Sequence, residues 1–137
     1  MVFIKNLTIY QVDKKSFSQV AKKVLFWENK EKEKISFVFV DKSEIRALNK
    51  KFRKKDEPTD VLSFHLNEKD LFGEIIICPE VVKENAKKDE VSFKYEMVKM
   101  AVHGILHLLG YDHERSKKDE VVMEGKQNTY VARLIKE

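Results

Sequence analysis

The sequence of 137 residues is poor in the residue types that shape small disulfide-rich or loop-rich proteins. It has one Cys, two Pro, four Gly and one Trp. A single cysteine, Cys78, excludes an internal disulfide, so nothing in the sequence points to an oxidising compartment. Hydrophobic residues still make up 42% of the chain, with nine Phe among them. That content is sufficient for the core of one domain, which we predict to cover residues 1–137.

Long hydrophobic runs are also lacking. No stretch approaches the roughly 18 apolar residues that a membrane-spanning helix needs. The first residues, MVFIKN, lack the charged segment and the longer apolar segment of a secretory leader. We therefore expect a cytoplasmic protein with no membrane partner.

Hydrophobic periodicity predicts an α+β domain with about four strands in a mixed sheet and about five helices. The predicted strands are 2–11, 35–40, 61–66 and 71–78, and the short link between the last two favours an antiparallel pair. The predicted helices are one capped by Ser16, one capped by Asp41 or Ser43, residues 80–88, residues 93–109, and a last one from Ser116 through Ile135. The second helix carries an apolar stripe of Ile45, Leu48 and Phe52, and the fourth is apolar nearly all round, which predicts burial.

The positive charge of the chain is concentrated in one segment. The formal net charge is only +4, but residues 42–55 contain seven cations against the single anion Glu44, a local charge of +6. Arg46, Lys50 and Arg53 share one face of the predicted helix. Such a patch on a near-neutral body is typical of a protein with a phosphate-rich partner. Charge alone does not distinguish Arg53 from one more solvated cation.

Three of the four histidines lie between positions 103 and 113. His103 and His107 are spaced i, i+4, so on a helix both rings leave the same face. Gly110 can adopt the left-handed conformation that ends a helix, and the returning chain can bring His113 toward the pair. Three neutral imidazoles with no fourth ligand in the motif are typical of a catalytic zinc ion with an open position for water. Imidazole also suits nickel, copper and iron.

The motif H-G-x-x-H-x-x-G-x-x-H matches the zinc signature of metzincin peptidases except at its second position. Gly104 stands where the peptidases have a glutamate that takes a proton from the attacking water. Losing such a base costs typically 10²–10⁴-fold in rate, which argues against peptide hydrolysis. Phosphodiester cleavage tolerates this loss better, because three neutral ligands leave the full +2 charge on zinc, which can lower the pKa of bound water to about 7 and polarise a phosphate oxygen. A nearby guanidinium such as that of Arg53 can bind phosphate oxygens in bidentate fashion and neutralise growing charge.

Three segments together resemble the YbeY family of endoribonucleases: residues 48–64 (LNKKFRKKDEPTDVLSF), 73–77 (GEIII) and 103–113 (HGILHLLGYDH). The resemblance implies a metal-dependent nuclease that cuts single-stranded RNA and acts in rRNA processing, notably 16S 3′-end maturation, and in ribosome quality control. It implies one zinc ion on His103, His107 and His113, and an essential arginine at Arg53. The chain departs from the family pattern at His65, where proline is usual, and at Glu74, where aspartate is more common.

Several alternatives stay open at this point. The protein could be a metzincin-like peptidase, or a non-catalytic RNA-binding module whose structural metal takes Cys78 or Asp112 as fourth ligand. Asp60 and Asp112 could each orient a ligand histidine or only shape a turn. We interpret His65 as structural and Met123 as a core residue, although a methionine beneath the metal is an alternative. The sequence does not choose between water and the RNA 2′-hydroxyl as the attacking group.

Overall fold

The structure is a computed structural model that describes residues 1–68, 71–112 and 115–136. Within these ranges the chain forms four strands and five helices in an α+β arrangement, as predicted. The strands are β1 (Val2–Asn6), β2 (Ile35–Phe39), β3 (Val61–Glu68) and β4 (Leu71–Ile77). The helices are α1 (Lys14–Trp27), α2 (Lys42–Arg53), α3 (Pro79–Lys88), α4 (Phe93–Leu108) and α5 (Lys117–Lys136). No helix in the described ranges is long and apolar enough to cross a membrane.

The strands form one mixed sheet in the order β1-β2-β4-β3. β2 runs parallel to both β1 and β4, whereas β3 pairs antiparallel with β4, which confirms the predicted hairpin. β3 is therefore an edge strand. Its outer edge is bordered by the last turn of α2 and by α4, and this edge carries the candidate site.

Alternating side chains of the sheet pack into two apolar layers, as the strand period of two requires. Phe37, Phe39, Ile75 and Ile77 belong to the main core cluster with residues of α1, α4 and α5, and α1 contributes Phe17 and Val24 to it. On the opposite face a smaller cluster packs beneath α2, formed by Val40, Ile45, Leu62, Ile76 and Cys78. The centre of α4 is buried as predicted, because it lies between the sheet and α5.

Two predicted element boundaries are wrong for a local reason. The first strand ends at Asn6 and not at residue 11, because the Asn6 side chain accepts a hydrogen bond from the Thr8 amide at 3.0 Å and donates one to the Tyr10 carbonyl at 2.7 Å. This is a turn built by an asparagine side chain. The first helix is capped by Asp13, whose carboxylate accepts from the Ser16 amide at 3.1 Å, so Ser16 lies inside the helix.

The other helix starts agree with the sequence prediction to within one residue. Asp41 caps α2 by accepting from the Glu44 amide at 2.9 Å, which decides between the two predicted caps. Ser116 Oγ accepts from the Asp119 amide at 3.1 Å at the start of α5. The third helix begins one residue earlier than predicted, with Pro79 in its first turn, where the missing N–H of proline has no intrahelical partner to lose.

Candidate metal centre and nucleic-acid cleft

A cleft of about 440 Å³ runs along the edge strand β3. The structure brings Arg53 together in this cleft with His103 and His107, which are about fifty positions away in sequence. The lining residues are Phe52, Arg53, Val61, Leu62, Ser63, Phe64, His103, His107 and Asp112. The predicted cation and two of the predicted ligands therefore share one concave surface.

The histidine pair lies in the last two turns of α4. His103 is half-buried and His107 is exposed, so the pair forms part of the cleft wall with His107 nearer to solvent. The last carbonyl groups of a helix carry partial negative charge, which stabilises a cation placed at that end. A metal ion held by these rings would gain this additional electrostatic support.

Gln127 on α5 fixes the orientation of the His103 ring. The Nδ1 of His103 lies 2.8 Å from the Gln127 Oε1, a contact that suits the tautomer with its proton on Nδ1, since an amide oxygen only accepts. The lone pair of the neutral ring is then on Nε2, which is the form that a metal ligand needs. Sequence reasoning did not single out Gln127. The available signal was a polar residue on the buried stripe of α5, between Met123 and Tyr130.

The chain turns sharply after the histidine helix. α4 ends at Leu108, and Gly110 has a positive φ of 102°, which confirms the predicted left-handed glycine. Asp112 lines the cleft two residues later. His113 lies outside the described residues, so its place as third ligand stays a prediction.

A buried carboxylate anchors the turn that follows α4. Glu28, directly after α1, accepts hydrogen bonds from the Tyr111 hydroxyl at 2.8 Å, from the Tyr130 hydroxyl, and from Lys126 Nζ at 3.2 Å. Its side chain is only 8% exposed. Burial alone would raise the pKa of Glu28, but the two hydroxyls and the ammonium group outweigh burial and hold that pKa below its usual value. Glu28 is therefore an ionised group that joins α1, α5 and the loop leading to Asp112.

Gly104 is a point of close approach between α4 and the sheet. A Cβ added there would lie 2.7 Å from Ile75 Cγ2 and 3.3 Å from Ser63 Oγ. The Ser63 hydroxyl also donates to the Gly104 carbonyl at 3.1 Å. A larger side chain fits only if Ile75 changes or the helix moves away from β4. The position that holds the base in metzincin peptidases thus has no room for one, which weighs against the peptidase alternative.

Asp60 and Cys78, two further candidates from the sequence, are not among the described residues that line the cleft. Asp60 lies 3.4 Å from both Asn85 Nδ2 and Thr59 Oγ1, so it contacts α3 and its own turn. Cys78 packs in the core cluster beneath α2, and burial raises the pKa of its thiol. Because a metal binds the thiolate, Cys78 is poorly suited to be a fourth ligand.

Two other side chains lie where we interpreted them to lie. Met123 is 1% exposed and belongs to the main core cluster. His65 is exposed on β3 and packs edge-on against Phe72, with ring centroids 4.6 Å apart. Neither residue lines the cleft as the structure describes it.

The basic segment is divided along α2. At its start, Lys42 Nζ lies 2.5 Å from Glu84 and Arg46 Nε lies 2.9 Å from Asp56, so both charges are partly neutralised. The last turn carries Lys50, Lys51 and Arg53. Positive charge is thus concentrated at the end of α2 that borders the cleft.

The fold and the site together define a small α+β protein in which an edge strand, a histidine-bearing helix and a basic helix enclose one cleft. The family model for YbeY, described as "Endoribonuclease YbeY", matches residues 3–135. The chain belongs to the YbeY family, and the resemblance seen in the sequence is confirmed.

Individual relatives agree with this assignment. Endoribonuclease YbeY of Thermotoga maritima is 46% identical over 97 residues, which cover 71% of this chain and 65% of that protein. The protein of the same name from Staphylococcus saprophyticus is 43% identical over 126 residues, 82% of each. A solution structure of a Thermotoga maritima protein superimposes with a TM-score of 0.71 at 36% identity, covering 98% of this chain and 89% of that one. This chain thus matches slightly less than two thirds of the length of the Thermotoga relative.

Proposed function

We propose that the protein is a metal-dependent endoribonuclease that cleaves single-stranded RNA. The observation that carries the proposal is the single cleft that joins Arg53 to the His103–His107 pair. A guanidinium suits a phosphate, and an imidazole pair suits a metal ion, so the two together suit a phosphodiester. The relatives that share the fold bear the name endoribonuclease.

The metal in this proposal is one zinc ion, which His103, His107 and His113 would hold. The hydrogen bond from His103 to Gln127 supports the fit, because it leaves the lone pair on the ring nitrogen that would bind. When bound, zinc lowers the pKa of a coordinated water to about 7 and polarises phosphate oxygens. Nickel, copper and iron are alternatives that imidazole ligands also accept.

The protein's own side chains would position the substrate and stabilise charge. The planar fork of Arg53 would bind two phosphate oxygens and stabilise the negative charge that grows during cleavage. The apolar wall of β3, with Val61 and Leu62, would exclude bulk water and strengthen that interaction. The attacking group is either water or the RNA 2′-hydroxyl. Cleavage of DNA as readily as RNA would exclude the 2′-hydroxyl route.

The wider role we propose is rRNA processing in the cytoplasm, including 16S 3′-end maturation and ribosome quality control. Its support is the resemblance of the three sequence segments to the family. The natural substrate would then be single-stranded rRNA in or near the ribosome. The concentration of positive charge at the end of α2 is consistent with a large polyanionic partner.

The test compares wild type, His107→Ala and Arg53→Ala on single-stranded and duplex RNA, with the metal content of every preparation measured. We expect His107→Ala to lose both metal and activity. Arg53→Ala should keep its metal but lose about 10²–10³-fold in rate, the cost of removing one donor to a charged transition state. Arg53→Lys should recover only part of this loss, because a lysine cannot make the bidentate contact.

Two matched controls lie outside the cleft. His65→Ala removes an exposed histidine that packs against Phe72, and Arg46→Ala removes an arginine of α2 that pairs with Asp56. Both should cleave like wild type, whereas a contaminating ribonuclease would give the same residual cleavage in His107→Ala and Arg53→Ala. The mechanism fails if His107→Ala loses its metal and still cleaves at the wild-type rate.

A further inference from the structure

Phe52 is an aromatic side chain whose position the core does not explain. Its place in the apolar stripe of α2 predicts burial beside Ile45 and Leu48. The structure instead buries Ile45 completely and leaves Phe52 55% exposed in the candidate cleft. The helix extends past the core by its last turn, so this ring projects beside Arg53.

The Phe52 ring is held by a second aromatic residue. Phe64 on β3 packs against it in an edge-on arrangement, with centroids 5.1 Å apart and an interplanar angle of 63°. Phe64 is itself half-buried and packed on the cluster beneath α2. An edge-on partner of this kind restrains a ring without covering both of its faces. Phe52 is therefore a supported aromatic surface on the wall of the cleft.

Two cationic residues, Lys51 and Arg53, flank Phe52 in sequence. Arg53 is the next residue and lines the same cleft, while Lys51 Nζ lies 5.2 Å from the Phe52 ring centroid. A single exposed apolar residue normally has no special meaning. An exposed ring flanked by cations in a concave site is different, because proteins bind single-stranded nucleic acid by stacking bases on aromatic rings while cations contact the backbone.

We propose that Phe52, supported by Phe64, is a binding site for one unpaired nucleobase of the RNA substrate. The proposal rests on the proposed function, since it assigns a recognition site to the same cleft. A base stacked on Phe52 would place its adjoining phosphates near Lys51 and Arg53. Bases inside a duplex are stacked on their neighbours and cannot present a face to this ring. The site would thus select single strands without reading their sequence.

The first test measures equilibrium binding of a short unstructured RNA and of its duplex, in a chelator that prevents cleavage. Phe52→Leu keeps an apolar side chain of similar reach but has no aromatic face, whereas Phe52→Trp enlarges that face. We expect Phe52→Leu to weaken single-strand binding about tenfold, and Phe52→Trp to match or exceed wild type. Duplex binding should change little in either variant.

A second measurement locates the base. RNAs carrying one abasic nucleotide at successive positions should bind wild type less tightly when the missing base is the stacked one. Phe52→Leu should be insensitive to that same deletion, because the partner ring is already absent. In a Trp27→Phe background, the fluorescence of Phe52→Trp should be quenched by single-stranded RNA. Thermal unfolding of each variant verifies that the fold is intact.

The outcomes separate this site from the enzymatic proposal. If wild type binds single strands with the expected dependence on Phe52 but does not cleave them with metal, the nuclease proposal fails and the base site stands. If wild type cleaves and the Leu and Trp variants equal it in both binding and kcat/KM, the base site is wrong and the nuclease proposal stands.

Discussion

Gln127 illustrates how one buried amide can hold the ring of a predicted metal ligand. It is 8% exposed and reaches from α5 to the Nδ1 of His103. Groups that contact a ligand histidine in this way hold both its proton and its ring orientation. The sequence pointed to carboxylates for this role, Asp60 or Asp112. The structure shows a contact of this kind between His103 and an amide on another helix, while the roles of Asp60 and Asp112 toward a ligand histidine stay predictions.

Replacing Gln127 with Leu removes the oxygen that contacts His103 Nδ1 and leaves an apolar side chain of similar size. We expect zinc affinity to fall about 10- to 100-fold, because the ring of His103 loses its fixed proton and orientation. Competition with a chromophoric chelator measures this directly, with no need for RNA. Gln127→Glu retains an acceptor oxygen and should keep most of the affinity. Equal zinc binding by wild type and Gln127→Leu would show that the contact does not orient the ligand.

The site residues that sequence analysis predicted are marked by local sequence patterns, whereas the residues it missed are defined by contacts between distant elements. His103 and His107 are near in sequence, and Arg53 belongs to a conspicuous run of charge, so local patterns single them out. Gln127 and Phe52 acquire their meaning from contacts between distant elements. Hydrophobic periodicity predicts which face of each helix is apolar but not which element packs against that face. Sequence analysis therefore did not single out Gln127, and it predicted that Phe52 is buried.

Among elements, the connection of α1, α5 and the loop after α4 depends on one ionised group. Glu28 follows α1, Tyr130 and Lys126 belong to α5, and Tyr111 lies just before Asp112. Hydrogen bonds to a charged group are worth about 1.5–3 kcal/mol each. The loop that leads to His113 is thus tied to two helices through a single carboxylate.

We expect Glu28→Gln to lower the free energy of unfolding at neutral pH by about 1–3 kcal/mol. The pKa of Glu28 is held below its usual value in the folded state, so its ionised form stabilises the fold above the unfolded pKa of about 4.3. This contribution is lost as pH falls through the lowered folded pKa. The difference between wild type and Glu28→Gln should therefore narrow below about pH 4, as urea unfolding at several pH values can measure.

A control for this prediction lies in the segment between α1 and β2, which also contains Glu28. Glu31 is exposed, so Glu31→Gln changes the same net charge without removing a buried acceptor. Its unfolding free energy should stay within about 0.5 kcal/mol of wild type. A constant difference between Glu28→Gln and wild type across the acid range would mean that ionisation of Glu28 does not stabilise the fold.

For the whole molecule, the strand types and the hairpin followed from sequence, whereas the sheet order did not. Alternation and β-branched residues predicted β2, and a short link predicted the pairing of β3 with β4. The placement of β4 between β2 and β3 joins segments that are far apart in the chain. Such pairings depend on which apolar faces meet in three dimensions. A single sequence contains little local signal of that choice.

The charge distribution of the molecule leads to a prediction about salt. Lys50, Lys51 and Lys55 lie at or just after the last turn of α2. Each phosphate contact with a single strand contributes about 0.7 to the slope of log affinity against log salt concentration. Replacing these three lysines by glutamine should therefore reduce the slope by about 2. Replacing three lysines of α1, Lys14, Lys15 and Lys22, serves as the matched control.

Anisotropy titrations of a labelled single-stranded RNA over a range of salt concentrations measure both slopes. The α1 variant should differ from wild type by much less than the α2 variant. If the two triple variants have equal slopes, RNA is attracted by the total charge of the protein and not by the end of α2.

The close approach of Gly104 to Ile75 means that the distance between α4 and β4 decides which side chains can stand at position 104. With only a hydrogen at position 104, α4 approaches β4 closely, and its histidines line the cleft along the edge strand. A designer who wished to convert this scaffold into a peptidase could not simply restore a glutamate. The two layers would first have to move apart, or Ile75 would have to shrink. Both changes disturb the packing of α4, so the close approach of α4 to β4 excludes a glutamate at this position.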